Sequence, residues 1–481
     1  MTQPVGAIAR RARNMGVLLL GLTLGLSARA ADDAVAAQLR QVLERLTQLE
    51  QRNAELERQL RALQAPAAAA SAAPGGWGTA RVQQLEQRVD ALTRSAEPVE
   101  EAPADGPTIG ASVVAVGQRV NAGGSADGRD ATRLGYRGDL TVELPAGAVG
   151  EAQAIAFAHL RFGQGPGVAL RPTHTSTVNS VGFETGAGPD DSFAILAQAW
   201  VQLEWPLDAG GFNDQKGRRV ELTAGKMDLF GFFDQNAAAG DEATQFLNNA
   251  FVHNPLLDSG GDIGADAYGF APGLRAGYFD TDGSWAWGAS VGVFGAGAGA
   301  NFSGSPGRPL VIGQFELAPL QINGEPRASY RLYAWSNGRT LGLDEQRQRH
   351  TGVGVSVDQH VGREWNLFGR WGRRLRGDGH FDRALTLGFE HGGRAWGRGH
   401  DAVGLALGRI GTDGAWRAAT ADGALVGYAA GGSETLAELY YRWKLNEHIE
   451  LSPDLQWIRR PGGDGRAPAL RVFGLRASVG Y

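Results

Sequence analysis

From about Thr108 to Tyr481 the chain repeats one pattern, in which runs of roughly ten residues alternate apolar with polar between Gly- and Asp-rich breaks. The last run shows it most clearly. Phe473, Leu475, Ala477, Val479 and Tyr481 share one face, and Gly474, Arg476, Ser478 and Gly480 share the other. A period of two is a strand, because successive side chains point to opposite sides of the pleat. Apolar residues on one face and charged ones on the other suit a strand with lipid outside and water inside.

Read this way, the chain predicts strands at 109–119, 132–144, 151–162, 193–205, 218–227, 268–279, 284–293 and 309–318. Eight more follow at 326–336, 350–359, 363–373, 382–391, 400–409, 433–443, 448–458 and 469–481. The expected fold is all-β: a transmembrane barrel of about sixteen antiparallel strands, preceded by an α-helical coiled coil. Connections alternate as a barrel requires, with short turns on one side and long loops on the other. Pro145–Gly150, Asp280–Gly283, His360–Gly362 and Lys444–Glu447 are short. Gly163–Ser192, Asp228–Ala267 and Ile410–Gly432 are long, and each follows an odd-numbered strand.

The pattern changes before Thr108. Arg10, Arg11 and Arg13 precede the apolar run Met15–Leu26, and Ala28-Arg29-Ala30 reads as a cleavage site. Residues 1–30 are expected to be a secretory signal peptide, because the run is too short for a spanning helix. Val35, Leu39, Val42, Leu46, Leu49, Asn53, Leu56, Leu60 and Leu63 then follow the 4-3 spacing of a coiled coil. Asn53 on that seam would fix register and strand number at a cost in stability. An Ala/Pro-rich spacer, 65–76, separates this block from a shorter one at Val82, Leu85, Val89 and Leu92. Residues 31–95 are thus expected to be a periplasmic oligomerising stalk built on Leu39, Leu46, Leu49, Asn53, Leu56 and Leu60. Residues 96–107 form an acidic linker, and 108–481 the barrel.

Composition narrows the function. Gly is 72 of 481 residues, about twice the usual share, which suits tight strands and many turns. Hydrophobic content of 43% is ordinary for a barrel, since only every second strand residue meets lipid. A formal charge of −5 gives no reason to expect a nucleic-acid partner. Without Cys there is no disulfide, thiolate metal site or Cys nucleophile. The acidic loop lacks the spaced pattern of a calcium site, and no nucleophile elbow or metalloprotease motif appears. Neither an enzyme nor a cofactor is expected.

Several motifs are recognisable in order. Gly225-Lys226-Met227-Asp228-Leu229-Phe230-Gly231-Phe232-Phe233-Asp234-Gln235-Asn236 leads into Thr244-Gln245-Phe246-Leu247-Asn248-Asn249-Ala250-Phe251, then Asn254-Pro255 and Tyr268-Gly269. With Leu134-Gly135-Tyr136-Arg137-Gly138-Asp139 before them and Ser452-Pro453-Asp454-Leu455-Gln456-Trp457 after, residues 130–481 resemble the carbohydrate-selective porin family. The stalk lies outside that resemblance, and Tyr481 stands where Phe is commoner. The resemblance implies a bacterial outer-membrane channel for small sugars. By analogy with sixteen-stranded porins it also implies an inward-folded loop at 228–267 and a homotrimer. Peptidoglycan contact through the stalk is a further expectation.

Alternation says which side chains line the lumen: Arg133, Arg137, Asp139 and Glu143; His159 and Arg161; Gln198, Trp200 and Gln202; Arg219 and Glu221. The later strands add Arg327, Arg331, Tyr333, Trp335, Arg370, Glu438, Tyr440 and Arg442. Charged groups hydrogen-bond sugar hydroxyls, and aromatic faces cover the apolar side of a ring. The longest loop carries Asp234, Asp241 and Glu242, expected to face Arg137, Arg161 and Arg219 across a constriction. Its cluster Phe230, Phe232, Phe233, Phe246 and Phe251 needs a packing surface, which favours an inward fold. The expected function is diffusion of small hydrophilic solutes. The alternative is an envelope-tethering or adhesive barrel with little channel activity; single-channel conductance separates the two.

Overall fold

A computed structural model describes residues 106–165, 167–174, 177–182, 192–207, 217–258, 268–295, 307–320, 326–338 and 340–481. The signal-peptide and stalk segments, with Leu39, Leu46, Leu49, Asn53, Leu56 and Leu60, lie outside the described residues. So does the end of the long loop, 259–267.

The alternating runs form sixteen strands. The first eight are β1 (Thr108–Val120), β2 (Ala131–Val149), β3 (Ala152–Gln164), β4 (Phe193–Pro206), β5 (Arg218–Asp228), β6 (Phe270–Asp280), β7 (Trp285–Phe294) and β8 (Leu310–Pro319). Then come β9 (Ala328–Asn337), β10 (His350–Val361), β11 (Trp365–Arg376), β12 (Phe381–Gly392), β13 (Ala402–Thr412), β14 (Ser433–Lys444), β15 (Ile449–Arg459) and β16 (Leu470–Gly480). Each pairs antiparallel with its sequence neighbours, and β1 closes the ring against β16 with Ala115 opposite Ala477. Closure leaves no free edge, so every wall hydrogen bond is made inside the protein, as hydrocarbon demands.

The clearest departure from the periodicity is in β2, which continues past Leu144 to Val149. Pro145 interrupts the pattern, but a bulge between Pro145 and Gly147 absorbs it and the ladder to β3 resumes. Gly147 adopts φ +81°, which a side chain would resist.

The outward face is apolar: Leu134, Leu160, Leu332, Leu385, Leu407, Phe473 and Leu475 are all exposed. Exposed aromatics Trp285, Trp287, Tyr330, Trp365, Trp443 and Tyr481 gather at the short-turn ends of their strands, where amphipathic rings suit the membrane–water boundary. The chain's hydrophobic core lies inside the barrel. Phe233, Phe246, Phe251, Leu256 and Leu257, from the segment after β5, pack on Phe294, Phe368 and Tyr440 of the wall. Phe246 sits 4.9 Å from Tyr440 and 5.5 Å from Phe368, centroid to centroid.

Candidate functional site: the loop-lined lumen

Residues 229–258 cross the interior and are tied to many strands. Arg370 of β11, 2% exposed, is the principal tie. Its Nε donates to Asp234 Oδ1 (3.1 Å), Nη2 to the Asp234 carbonyl (3.0 Å), and Nη1 to the carbonyls of Ala239 (2.7 Å) and Phe251 (2.6 Å). Asp234 also accepts from the Tyr333 hydroxyl at 2.6 Å and from the Asn254 amide at 2.6 Å. Tyr333 has room to reach it because Gly354 stands opposite on β10; a Cβ there would overlap the ring. Farther round, Asn236 donates to Ser356 on β10, and Arg476 of β16 to the carbonyls of Glu242 (2.9 Å) and Gln245 (2.7 Å). Glu438 of β14 accepts from the amides of Leu247 and Asn248. The loop thus covers the inner wall from β8 round to β16.

A second segment also turns inward, one that the sequence reading did not identify. Val178 presents its carbonyl to Gln118 Nε2 (2.7 Å) and Gln456 Nε2 (2.8 Å). Ser180 N donates to the Leu247 carbonyl, and Thr177 N to Asn249 Oδ1. His174 anchors this segment, donating its backbone N–H to Glu434 and placing Nε2 2.8 Å from Thr412 Oγ1. Its ring stays neutral: burial, with help from the charge of His380, pushes its pKa down to about 3. Nothing in the local sequence announces an inward turn here, since the segment lacks the long loop's aromatic cluster.

Two cavities lie beside the loop, along β3–β9. The larger, about 790 Å³, is lined by Arg161, Phe230, Glu242, His253, Tyr268 and Arg331 among others. The smaller, about 350 Å³, has Gln202, Arg219, Glu221, Phe232, Arg275 and Arg331 in its wall. Gly231, Gln235 and Arg331 border both. Arg331 is braced there by the Gln235 carbonyl (2.9 Å) and Asp358 (3.0 Å).

Two further charged networks lie along β2–β6. In the first, Glu242 meets Arg137 at 2.7 Å, Arg137 meets Asp139 at 2.9 Å, and Asp139 also binds Arg161 (2.6 Å) and His159 (2.7 Å). Burial pushes the Glu242 carboxyl up, but Arg137, Arg161 and His253 outweigh it and hold its pKa at about 2. In the second, Glu221 joins Arg219 (2.8 Å) to Arg275 (2.7 Å). Arg275 lies over the Phe232 ring at 5.0 Å. Aromatic faces line both cavities. Phe230 and His253 stack at 3.7 Å, 4° from parallel, and Trp200 meets Phe232 edge-on at 5.8 Å.

The expected constriction is therefore only partly assembled as written. Glu242 does meet Arg137 and joins Arg161 through Asp139. Arg219 does not face the loop acids; it pairs with Glu221 and Glu204 of the wall. Asp234, Arg370 and Tyr333 are buried and hold the loop, and Asp234 and Arg370 also border the larger cavity. Asp241 is exposed, but its carboxylate caps the turn, accepting from Ala243 N and Thr244 Oγ1. Arg327 lies just before β9, at the short-turn rim, with its backbone bonded to Pro319 and His360 of the neighbouring strands. Arg275, Gln235 and His253 were missed. Arg275 obeys the same alternation as Arg219, so periodicity could have found it. Gln235 and His253 lie in a loop, where no period applies.

Residues 126–481 match the family model described as carbohydrate-selective porin, OprB family. The chain belongs to that family. This porin sits in the outer membrane and passes small solutes. Its barrel resembles the high-pH structure of Pseudomonas putida OprB, at 18% identity and a TM-score of 0.60, over 82% of this chain and 96% of that one. The outer-membrane channel DcaP of Acinetobacter baumannii aligns at 13% identity and a TM-score of 0.45, over 78% and 97% of the two chains. A mutant of the Rh. blastica porin aligns at 10% identity and a TM-score of 0.44, over 78% and 100%. No curated protein sequence matches the chain.

Proposed function

We propose that this porin passes neutral sugars by diffusion, and that its narrowest stretch lies where Arg331, Gln235 and Gly231 separate the two cavities. One observation carries the reading. A passage of this size combines fixed Arg–carboxylate networks with aromatic faces, including Phe230 and Phe232. A hydroxyl-rich ring with one apolar face meets both kinds of contact there, and the paired charges give an ion no large net field. Arg161 and Glu242 belong to the wider mouth, and Arg219 to the inner cavity. Water is scarce in so narrow a channel, so each charge acts more strongly than in bulk.

The N-terminal segment belongs to the same proposal. Residues 1–30 direct export and are removed. Residues 31–95 form a periplasmic coiled coil that holds three barrels together and touches peptidoglycan, and 96–107 tether it. Support comes from the heptad spacing and the acidic, Pro-containing linker.

The test is single-channel conductance of the purified protein in planar bilayers, with mono- and disaccharides added to one side. Stepwise current that sugars reduce in a saturable manner is expected. Little or no current would replace this reading with a tethering barrel.

A further inference from the structure

At the long-loop end of the barrel, six outward-pointing arginines follow one another round part of the wall. They are Arg373 (β11), Arg383 (β12), Arg409 (β13), Arg459 (β15), Arg471 (β16) and Arg119 (β1). Five are exposed and Arg373 is half-buried, and each lies within a few residues of its strand's end. Their register is close: Arg373 stands opposite Arg383, and Thr435 of β14 stands between Arg409 and Arg459. At outward positions of the same height, β2–β9 carry no arginine among the described residues.

Two residues nearer the membrane centre, the same faces carry Trp371, Leu385, Leu407, Trp457 and Phe473, all exposed. The guanidiniums therefore sit where hydrocarbon gives way to headgroups. Few have protein partners. Arg373 and Arg383 share a single carboxylate, Asp382. Arg119 and Asp130 form a pair exposed enough to be weak. Arg409, Arg459 and Arg471 make no side-chain hydrogen bond or ion pair among the described residues.

We infer that this arc binds the phosphate groups of outer-leaflet lipids. Three observations converge: a row of planar forks, the apolar rung beneath it that takes the acyl chains, and the shortage of protein carboxylates. Arginine presents paired N–H donors that match phosphate oxygens. A cation near an anionic lipid surface adds to binding by a factor of about five for each residue. The lipid would be held along β11–β1 and not along β2–β9, so one side of the barrel keeps an annulus of bound lipid.

The test is native mass spectrometry of the full-length protein from mixed micelles containing phosphatidic acid or phosphatidylcholine of the same acyl chains. The wild type should retain phosphatidic acid preferentially, and excess inorganic phosphate should not displace it. The triple variant Arg409→Gln, Arg459→Gln, Arg471→Gln should lose that retention by on the order of a hundredfold. The triple Arg→Lys variant should fall between, keeping charge without the fork. A control triple on exposed loop arginines, Arg347→Gln, Arg417→Gln, Arg466→Gln, removes equal charge and should retain lipid as before. Equal retention of both lipids by the wild type overturns the inference, as does an unaffected rim triple. An equal loss in both glutamine triples would assign the effect to net charge and also overturn it. Displacement by inorganic phosphate would mean a free-phosphate site instead. If the glutamine triple fails to fold, judged by heat-modifiable migration, the wild-type preference and the lysine triple decide.

Discussion

Arg370 and Asp234 lie 136 residues apart in sequence, yet the guanidinium of one meets the carboxylate of the other at 3.1 Å inside the barrel. Both are buried, at 2% and 1% exposure, so each is the other's main compensation for leaving water. The pair converts a loop that could lie across the outer surface into part of the lumen wall.

Removing one partner should therefore free the loop. Arg370→Met leaves the Asp234 carboxylate buried without its cation and strips the Ala239 and Phe251 carbonyls of a donor. The expected loss is about 3–5 kcal/mol in the stability of the inward fold. Single-channel records should show a higher, noisier conductance. A trace like the wild type's would mean that Arg476 and Glu438 suffice.

Ion selectivity should follow the mouth network. Arg161→Ala or Arg137→Ala should raise conductance and shift the reversal potential in a salt gradient toward cations. Glu242→Gln should shift it toward anions. Unchanged reversal potentials in all three variants would place the selective step elsewhere, at Arg331 or the inner network.

Acid should loosen the two inward segments in separate steps. The Glu242 pKa falls from an ordinary 4.5 in the unfolded chain to about 2 when folded. Its contribution is full above pH 4.5 and is lost as pH falls toward 2. His174 is depressed from 6.5 to about 3. Here too the unfolded state binds more protons, so stability declines from pH 6.5 downward. Conductance noise should thus rise between pH 6.5 and 5 in the wild type, and not in His174→Gln. A second rise below 4.5 should be absent in Glu242→Gln.

Sugar block tests the aromatic faces. Phe230→Ala removes one side of the stack with His253 and should weaken current block by a monosaccharide roughly twofold to tenfold, the range of one aromatic contact. Salt conductance alone should change much less. Equal block in both proteins would shift the sugar path away from the larger cavity.

Deleting residues 31–95 should dissociate the oligomer in detergent while the barrel keeps its heat-modifiable migration. Light scattering of the full-length protein as a monomer would remove the basis for a trimerising stalk.

The number, order and approximate limits of the strands were legible in the chain, because a pleated strand with lipid on one side and water on the other imposes a period of two on local sequence. The same period assigned Arg137, Arg161, Arg331 and Arg370 to the inner face. It could not distinguish the Arg331 that borders both cavities from the Arg370 buried under a loop, since both obey the same alternation. What covers an inward residue depends on a segment more than a hundred residues away in sequence, and a loop has no period to say which way its acids turn. Asp234, Asp241 and Glu242 look equivalent in sequence; one is buried against Arg370, one caps a turn, and one meets Arg137. Faces follow from neighbours along the chain, whereas burial, pairing and the path left open follow only from the way distant segments fill one interior.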